Sequence, residues 1–201
     1  MRLAFTEDQT AIAEAARTML AETCTPADLR ALLESGSAFD PARWATISAM
    51  GLPAMLAPES VGGLGLGLAD LAPVAEAAGY VALPEPLVEQ AGIAVPFLAG
   101  LASDGGLNDS GFNDRGFNDR GWAERAAAGA VIAIGHPANP FVAHADSAEA
   151  LLLDDGGAVH LVPRDAAALT PQDSLDPARR LFAVDWTPRP ETLVANGWGD
   201  V

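Results

Sequence analysis

The sequence predicts an α+β chain in which an N-terminal all-α helical bundle is followed by a partial antiparallel β domain. Three observations carry that reading. Capped, proline-started helical segments fill the first hundred residues. Short runs rich in Val, Leu and Ile, separated by Asp-Gly and Pro turns, fill the second half. Between them lies a pentapeptide repeat that suits neither helix nor strand. The predicted division is a helical domain over 1–106, a loop insertion over 107–121 and a partial β domain over 122–201.

Thr6-Glu7-Asp8-Gln9 has the form of a capping box, and Ile12, Ala16, Met19 and Leu20 follow at helical spacing, so a first helix is predicted from Glu7 to Glu22. Thr25-Pro26 and Asp40-Pro41 each pair an N-cap oxygen with a first-turn proline. They predict helices ending near Gly36 and Gly51. Leu52 to Leu68, with Pro53, Pro58 and several glycines, reads as a loop. Leu71 to Ala78 and Pro86 to Leu98 carry apolar residues at three and four spacing, as two further helices in a bundle would. The repeat LNDSG, FNDRG, FNDRG turns a helix by ~140° per unit and reverses the face of a strand, so it is predicted to be a solvated loop, dispensable for folding. Beyond Gly129, four strands are predicted at Val131 to Ile134, Ala150 to Leu153, Val159 to Val162 and Leu181 to Asp185. Asp155-Gly156-Gly157 supplies a hairpin turn between the middle two. Strands such as the first and last then need neighbours, so association with another chain is expected.

Composition narrows the functional classes. Eleven basic against 27 acidic residues give a net charge of −16, which repels nucleic acid and anionic membranes and favours protein or small-molecule partners. No stretch has the apolar length of a membrane span, and the N-terminus lacks a secretory core, so a cytoplasmic protein is expected. The single cysteine, Cys24, cannot pair within the chain and reads as structural. His136, His144 and His160 are separated by eight and sixteen residues, which no compact zinc motif uses, and the Asp residues of the repeat do not match a calcium loop. Gly62-Gly63-Leu64-Gly65-Leu66-Gly67 follows no strand and lacks the Lys-Ser/Thr of a phosphate loop. No catalytic or metal-ligating residue is assigned from spacing.

Leu3-Ala4-Phe5-Thr6-Glu7-Asp8-Gln9 resembles the opening of acyl-CoA dehydrogenases. Met50-Gly51-Leu52, with Pro58-Glu59-Ser60-Val61-Gly62-Gly63-Leu64-Gly65, resembles their glycine-rich loop and is the most specific match. Trp122-Ala123-Glu124-Arg125 to Ala128-Gly129, with Val131 to Ile134, resembles the family's passage into its β domain. Ser174-Leu175-Asp176-Pro177-Ala178-Arg179-Arg180-Leu181 is similar to a later β segment. The resemblance implies FAD-dependent α,β-dehydrogenation of an acyl-CoA, in which FAD takes the β-hydride and a glutamate takes the α-proton. In the family that glutamate lies in a C-terminal helical domain, beyond the segments matched here, so this chain alone is expected to be inactive. Where the family carries Thr-Glu-Pro beside the flavin, this sequence reads Gly135-His136-Pro137, which are therefore the candidate cofactor-binding residues. The resemblance also implies a homo-oligomer, or a hetero-oligomer with another acyl-CoA dehydrogenase subunit. The alternative role is a non-catalytic structural subunit or fragment that pairs with a flavin-binding acyl-CoA dehydrogenase partner.

Overall fold

The computed structural model describes residues 5–103 and 121–199, with helices in the first part and two small sheets in the second. Helix α1 (Glu7–Thr23) starts on Thr6, whose hydroxyl accepts from the Gln9 amide while the Gln9 side chain accepts from the Thr6 amide. α2 (Pro26–Glu34) repeats the device with Thr25 and Asp28, and α3 (Pro41–Ala49) starts on Asp40, which accepts from the amides of Ala42 and Arg43. α4 (Leu68–Tyr80) then packs on α1, burying Leu71, Val74, Ala77 and Ala78.

The glycine-rich loop is zipped onto the turn before it. Leu64 donates to the Ala54 carbonyl, Gly65 to Ala57 and Leu66 to Met55. Gly63 lies so close that a Cβ there would stand 2.0 Å from the Ala57 oxygen, which is why only glycine fits. The amides of Gly62, Gly63 and Gly67 are likewise committed, to Glu59, Pro58 and the Asp70 carboxylate. No cradle of free amides remains for a phosphate, so these glycines serve packing.

The helical stretch predicted over Pro86 to Leu98 is interrupted. It comprises α5 (Leu87–Glu89), a wide π turn over Gln90–Ala94, and α6 (Val95–Ser103). Pro96 supplies the reason: in a regular helix its ring would strike the Gly92 carbonyl, and widening the preceding turn relieves that clash. A further helix, α7 (Gly121–Ala127), buries Trp122, Ala123 and Ala126 against α6. It begins on the last residue assigned to the repeat and occupies the start of the predicted β domain. The rest of the repeat, over 107–120, lies outside the described residues.

The strands are β1 (Ile132–Gly135), β2 (Val142–Ala143), β3 (Ala150–Asp155), β4 (Ala158–Pro163), β5 (Ala168–Gln172), β6 (Leu181–Asp185) and β7 (Leu193–Ala195). One sheet has the order β1-β3-β4-β7 and the other β2-β6-β5. Pairing is antiparallel except between β1 and β3, which run parallel with Ile132 opposite Ala150. The β3–β4 hairpin turns on Gly156 and Gly157, both at positive φ (63° and 106°), and the Asp154 carboxylate accepts from the Gly157 amide. Two successive positive φ values are what a tight two-residue hairpin requires. β6, expected to present an open edge, is flanked by β2 and β5 instead. The edges of the larger sheet are β1 and β7.

β3 is buried along both faces from Ala150 to Leu153 and divides the core. Leu151 and Leu153, with Ala133 and Val162, join Leu20, Ile47, Met55 and Val74 of the helices. Leu152, with Ile132, Val159 and Leu161, faces Leu98, Trp122 and Ala126. Helices and sheet therefore share one hydrophobic interior.

The link from α7 into β1 is tight. Gly129 sits at φ 109°, its carbonyl accepts from the Trp44 indole at 2.6 Å, and a Cβ would meet the Ser48 hydroxyl at 2.4 Å. Gly129→Val combines a disfavoured φ with overpacking, and should cost roughly 2 to 4 kcal/mol. Denaturant unfolding checks this, and a loss below about 0.5 kcal/mol would show that the link relaxes freely.

Candidate functional site

A recess lies where the helices meet the smaller sheet. It is a cavity of 540 Å³ bounded by Leu29 and Leu33 of α2, by Ala75, Ala78 and Gly79 of α4, and by Leu83, Leu87 and Val88. Its far wall is His144 with Asp176, Ala178 and Arg179 from the segment leading into β6. Most of this lining is aliphatic, and the charged groups are Glu85, Glu89, Asp176 and Arg179.

One wall is fixed by a buried ion pair. Arg43 Nε donates to Glu85 Oε2 and Nη2 to Oε1, each at 2.9 Å, in a two-pronged fork with both side chains essentially inaccessible. Glu85 Oε1 also accepts from the Asp40 amide, and Arg43 Nη1 donates to the Thr23 carbonyl. The end of α1, the start of α3 and the α4–α5 connection are thereby tied together. Burial alone would lower the Arg43 pKa, but the bonds and charge of Glu85 hold it above its ordinary value.

The carboxylates around the cavity are engaged. Glu85 is held by three N–H donors, Glu89 pairs with Arg179 at 3.5 Å, and Asp176 accepts from the Ala178 amide. A general base must offer a free lone pair within reach of the proton it removes. The fork at Glu85 denies it that role.

His144 follows β2 directly. Its backbone is left-handed at φ 58°, an uncommon setting for a residue other than glycine that costs on the order of 1 to 3 kcal/mol. Its amide donates to the Arg180 carbonyl and its carbonyl accepts from Ser147. Only 6% of the residue is exposed, and among the described residues no hydrogen bond reaches its imidazole. Burial pushes its pKa below the ordinary histidine value, although Glu89, Asp146 and Glu85 pull the other way.

His160 is buried elsewhere, its Nδ1 2.9 Å from the Thr192 hydroxyl, with its ring against Trp186. The Thr192 hydroxyl donates to the Arg189 carbonyl, so it accepts from His160, which places the imidazole proton on Nδ1. Burial lowers this pKa also. Because both folded pKa values lie below the unfolded value near ~6.5, the unfolded chain takes up protons first as pH falls. Stability should be complete above pH ~6.5 and decline below it, by up to ~1.4 kcal/mol per pH unit for each histidine. Denaturant midpoints at pH 7.5 and 5.5 test this, and equal midpoints would contradict it.

The Gly135-His136-Pro137 segment stands at the end of β1, apart from the 540 Å³ cavity. Gly135 allows close packing, since a Cβ would meet Leu153 at 2.7 Å and Val142 at 3.0 Å. His136 and Pro137 are exposed. The His136 ring lies 5.6 Å from Trp198, which lies 5.3 Å from Phe97, and these rings border a second recess of 360 Å³ with Gly92, Ile93 and Pro96. Nδ1 of His136 accepts from the Ala138 amide, leaving Nε2 as the protonated nitrogen of the neutral ring. The rings are tilted to one another by 52° and 47°, so they present ring edges and one N–H donor rather than a single flat stacking face. None of the six residues lining this recess is a Lys or Arg that would meet a pyrophosphate.

The three histidines thus lie in three separate surroundings. Among the described residues no group of His, Cys, Asp and Glu is arranged to hold a metal ion, and no helix is long and apolar enough to cross a membrane. Cys24 is buried with its thiol toward the Val81 carbonyl, and burial raises its pKa, as for a structural rather than a nucleophilic cysteine.

Residues 6–104 match the family profile of the acyl-CoA dehydrogenase N-terminal domain. That stretch, just under half of the chain, is an acyl-CoA dehydrogenase N-terminal domain. No curated protein matches it. Among solved structures, the ChsE4-ChsE5 complex from Mycobacterium tuberculosis is similar with a TM-score of 0.75 and 22% identity, over 96% of this chain and 58% of that one. The Tcur3481-Tcur3483 steroid ACAD gives 0.69 and 19%, over 93% and 55%. An acyl-CoA dehydrogenase from Geobacillus kaustophilus gives 0.69 and 15%, over 98% and 60%. At these identities the likeness is one of fold, and the chain spans less than two thirds of each neighbour's length.

Proposed function

We propose that this chain forms the acyl-binding wall and the flavin-facing edge of an acyl-CoA dehydrogenase, and that α,β-dehydrogenation needs the base that a C-terminal helical domain supplies in the family. The observation that carries this reading is the aliphatic 540 Å³ cavity at the junction of helices and sheet, in a chain with this N-terminal domain. Its size suits a medium acyl chain or a compact ring system. The commitment of Glu85 to Arg43 supports a base that comes from elsewhere.

Bound FAD would supply the hydride acceptor. Gly135, His136 and Pro137 would then border its ring system, with Trp198 and Phe97 beside it and the His136 Nε2–H as an available donor. The pyrophosphate would find its cations outside this recess. Pairing with a second, unlike subunit is favoured because two of the structural neighbours are themselves named as pairs.

The test is a titration of the purified chain with FAD, alone and with a family subunit that carries the C-terminal helical domain, read by flavin absorbance. Flavin retained only in the pair supports the proposal. A pair that forms but never retains flavin would favour the structural-subunit role instead.

A further inference from the structure

Among the described residues, glycine takes seven of the backbone positions at positive φ, and the two others are Ala82 at 52° and His144 at 58°. Both of these line the 540 Å³ cavity, and none of the seven glycines does. Ala82 reaches it from the α4–α5 connection and His144 from the sheet side. At the end of α4 the Ala82 amide donates to the Gly79 carbonyl and the Leu83 amide to the Ala78 carbonyl. That pair of bonds closes a helix on a left-handed residue, where glycine is the ordinary choice. A Cβ there crowds the neighbouring carbonyl oxygen, so alanine gives up stability that glycine would recover. Ala82 is exposed, and packing within the fold therefore does not account for its methyl. His144 is held left-handed by the bond of its amide to the Arg180 carbonyl and of the Ser147 amide to its own carbonyl. Backbone strain of this kind gathers where a ligand contact outweighs it.

We propose that Ala82 and His144 are ligand-contact residues that shape this cavity from its two sides, and that side chains stand at these left-handed positions because the acyl group packs against them. The chain thereby trades fold stability for grip on its ligand. Ala82 gives the cleaner case, since the buried His144 ring also packs within the fold. The inference rests on the reading of this cavity as the acyl pocket and names the residues that fix its shape.

The purified chain allows the test, by calorimetric titration with octanoyl-CoA beside thermal melting, with free coenzyme A as the control. Ala82→Gly should raise the melting temperature by about 2 to 4 °C, because the strain is relieved. The same variant should bind octanoyl-CoA roughly threefold more weakly, the loss that one methyl contact predicts. His144→Asn keeps a residue that tolerates the left-handed backbone but has a smaller side chain, and should also bind octanoyl-CoA roughly threefold more weakly. Opposite signs in stability and binding are the signature, since a residue that serves the fold alone would not weaken binding as its replacement stabilises the chain. An Ala82→Gly variant that binds octanoyl-CoA as tightly as the parent, or that gains no stability, would overturn the inference and leave the acyl pocket standing, whether or not His144→Asn folds. Undiminished binding by a folded His144→Asn would overturn it as well. If octanoyl-CoA binds the parent chain no more tightly than free coenzyme A, the inference and the acyl pocket fall together.

Discussion

Replacing Glu85 by Ala is expected to destabilise the chain by about 3 to 5 kcal/mol, because it strands a guanidinium whose side chain is only 1% accessible. The Asp40 amide loses an acceptor at the same time, and the anchored start of α3 loosens. For a chain of this size that corresponds to a fall in melting temperature of roughly 10 °C. Replacing both partners, Arg43→Met with Glu85→Leu, should recover much of the loss, since an apolar pair leaves no buried charge. Single and double variants compared by denaturant unfolding decide it. A loss below about 1 kcal/mol for Glu85→Ala would mean that water reaches Arg43 and that the fork is not what holds this wall.

The second large effect concerns chemistry. With FAD, a saturated acyl-CoA and an artificial electron acceptor, the 201-residue chain alone should show no turnover above background, and a partner carrying the C-terminal helical domain should raise the rate by at least ~10², the lower end of what a positioned base contributes. Mutation of Glu85 or Glu89 should not abolish proton abstraction in that pair once loss of folding is allowed for, as both are committed within this chain. Turnover by the chain alone would show that one of its own carboxylates serves as the base.

Much of the helical half was legible in the sequence because its signals are local. A cap oxygen followed by proline at Thr25-Pro26 and Asp40-Pro41 marks a helix start whatever surrounds it. The β3–β4 hairpin was legible for a similar reason, since two glycines after Asp155 permit a turn that few other pairs allow. The short strands were not. β2 has two residues and β7 three, and β5 is an exposed edge strand containing Pro171, so none shows the alternation that marks a strand. α7 was hidden by its position beside the repeat.

The site divides in the same way. Gly135-His136-Pro137 could be found by resemblance, yet spacing had no means of pairing it with Phe97 and Trp198, which approach through the fold. His144 was passed over as an isolated histidine. Its burial, left-handed backbone and place on the cavity wall all depend on contacts among α2, α4 and the segment before β6. The glycines of 62–67 show the converse, a local pattern that suggests phosphate binding until the partners of its amides are known.

The most direct test of the central claim, that an acyl chain occupies the cavity between the helices and the smaller sheet, uses Gly79. This residue lines the cavity from within α4, and a Cβ added there meets nothing within 4 Å, so Gly79→Phe can obstruct the cavity without disturbing the fold. Calorimetric titration with octanoyl-CoA, with free coenzyme A as the control, should show acyl-dependent binding to the parent chain and binding at least tenfold weaker to a folded Gly79→Phe. Undiminished octanoyl-CoA binding by that variant would place the acyl chain somewhere else.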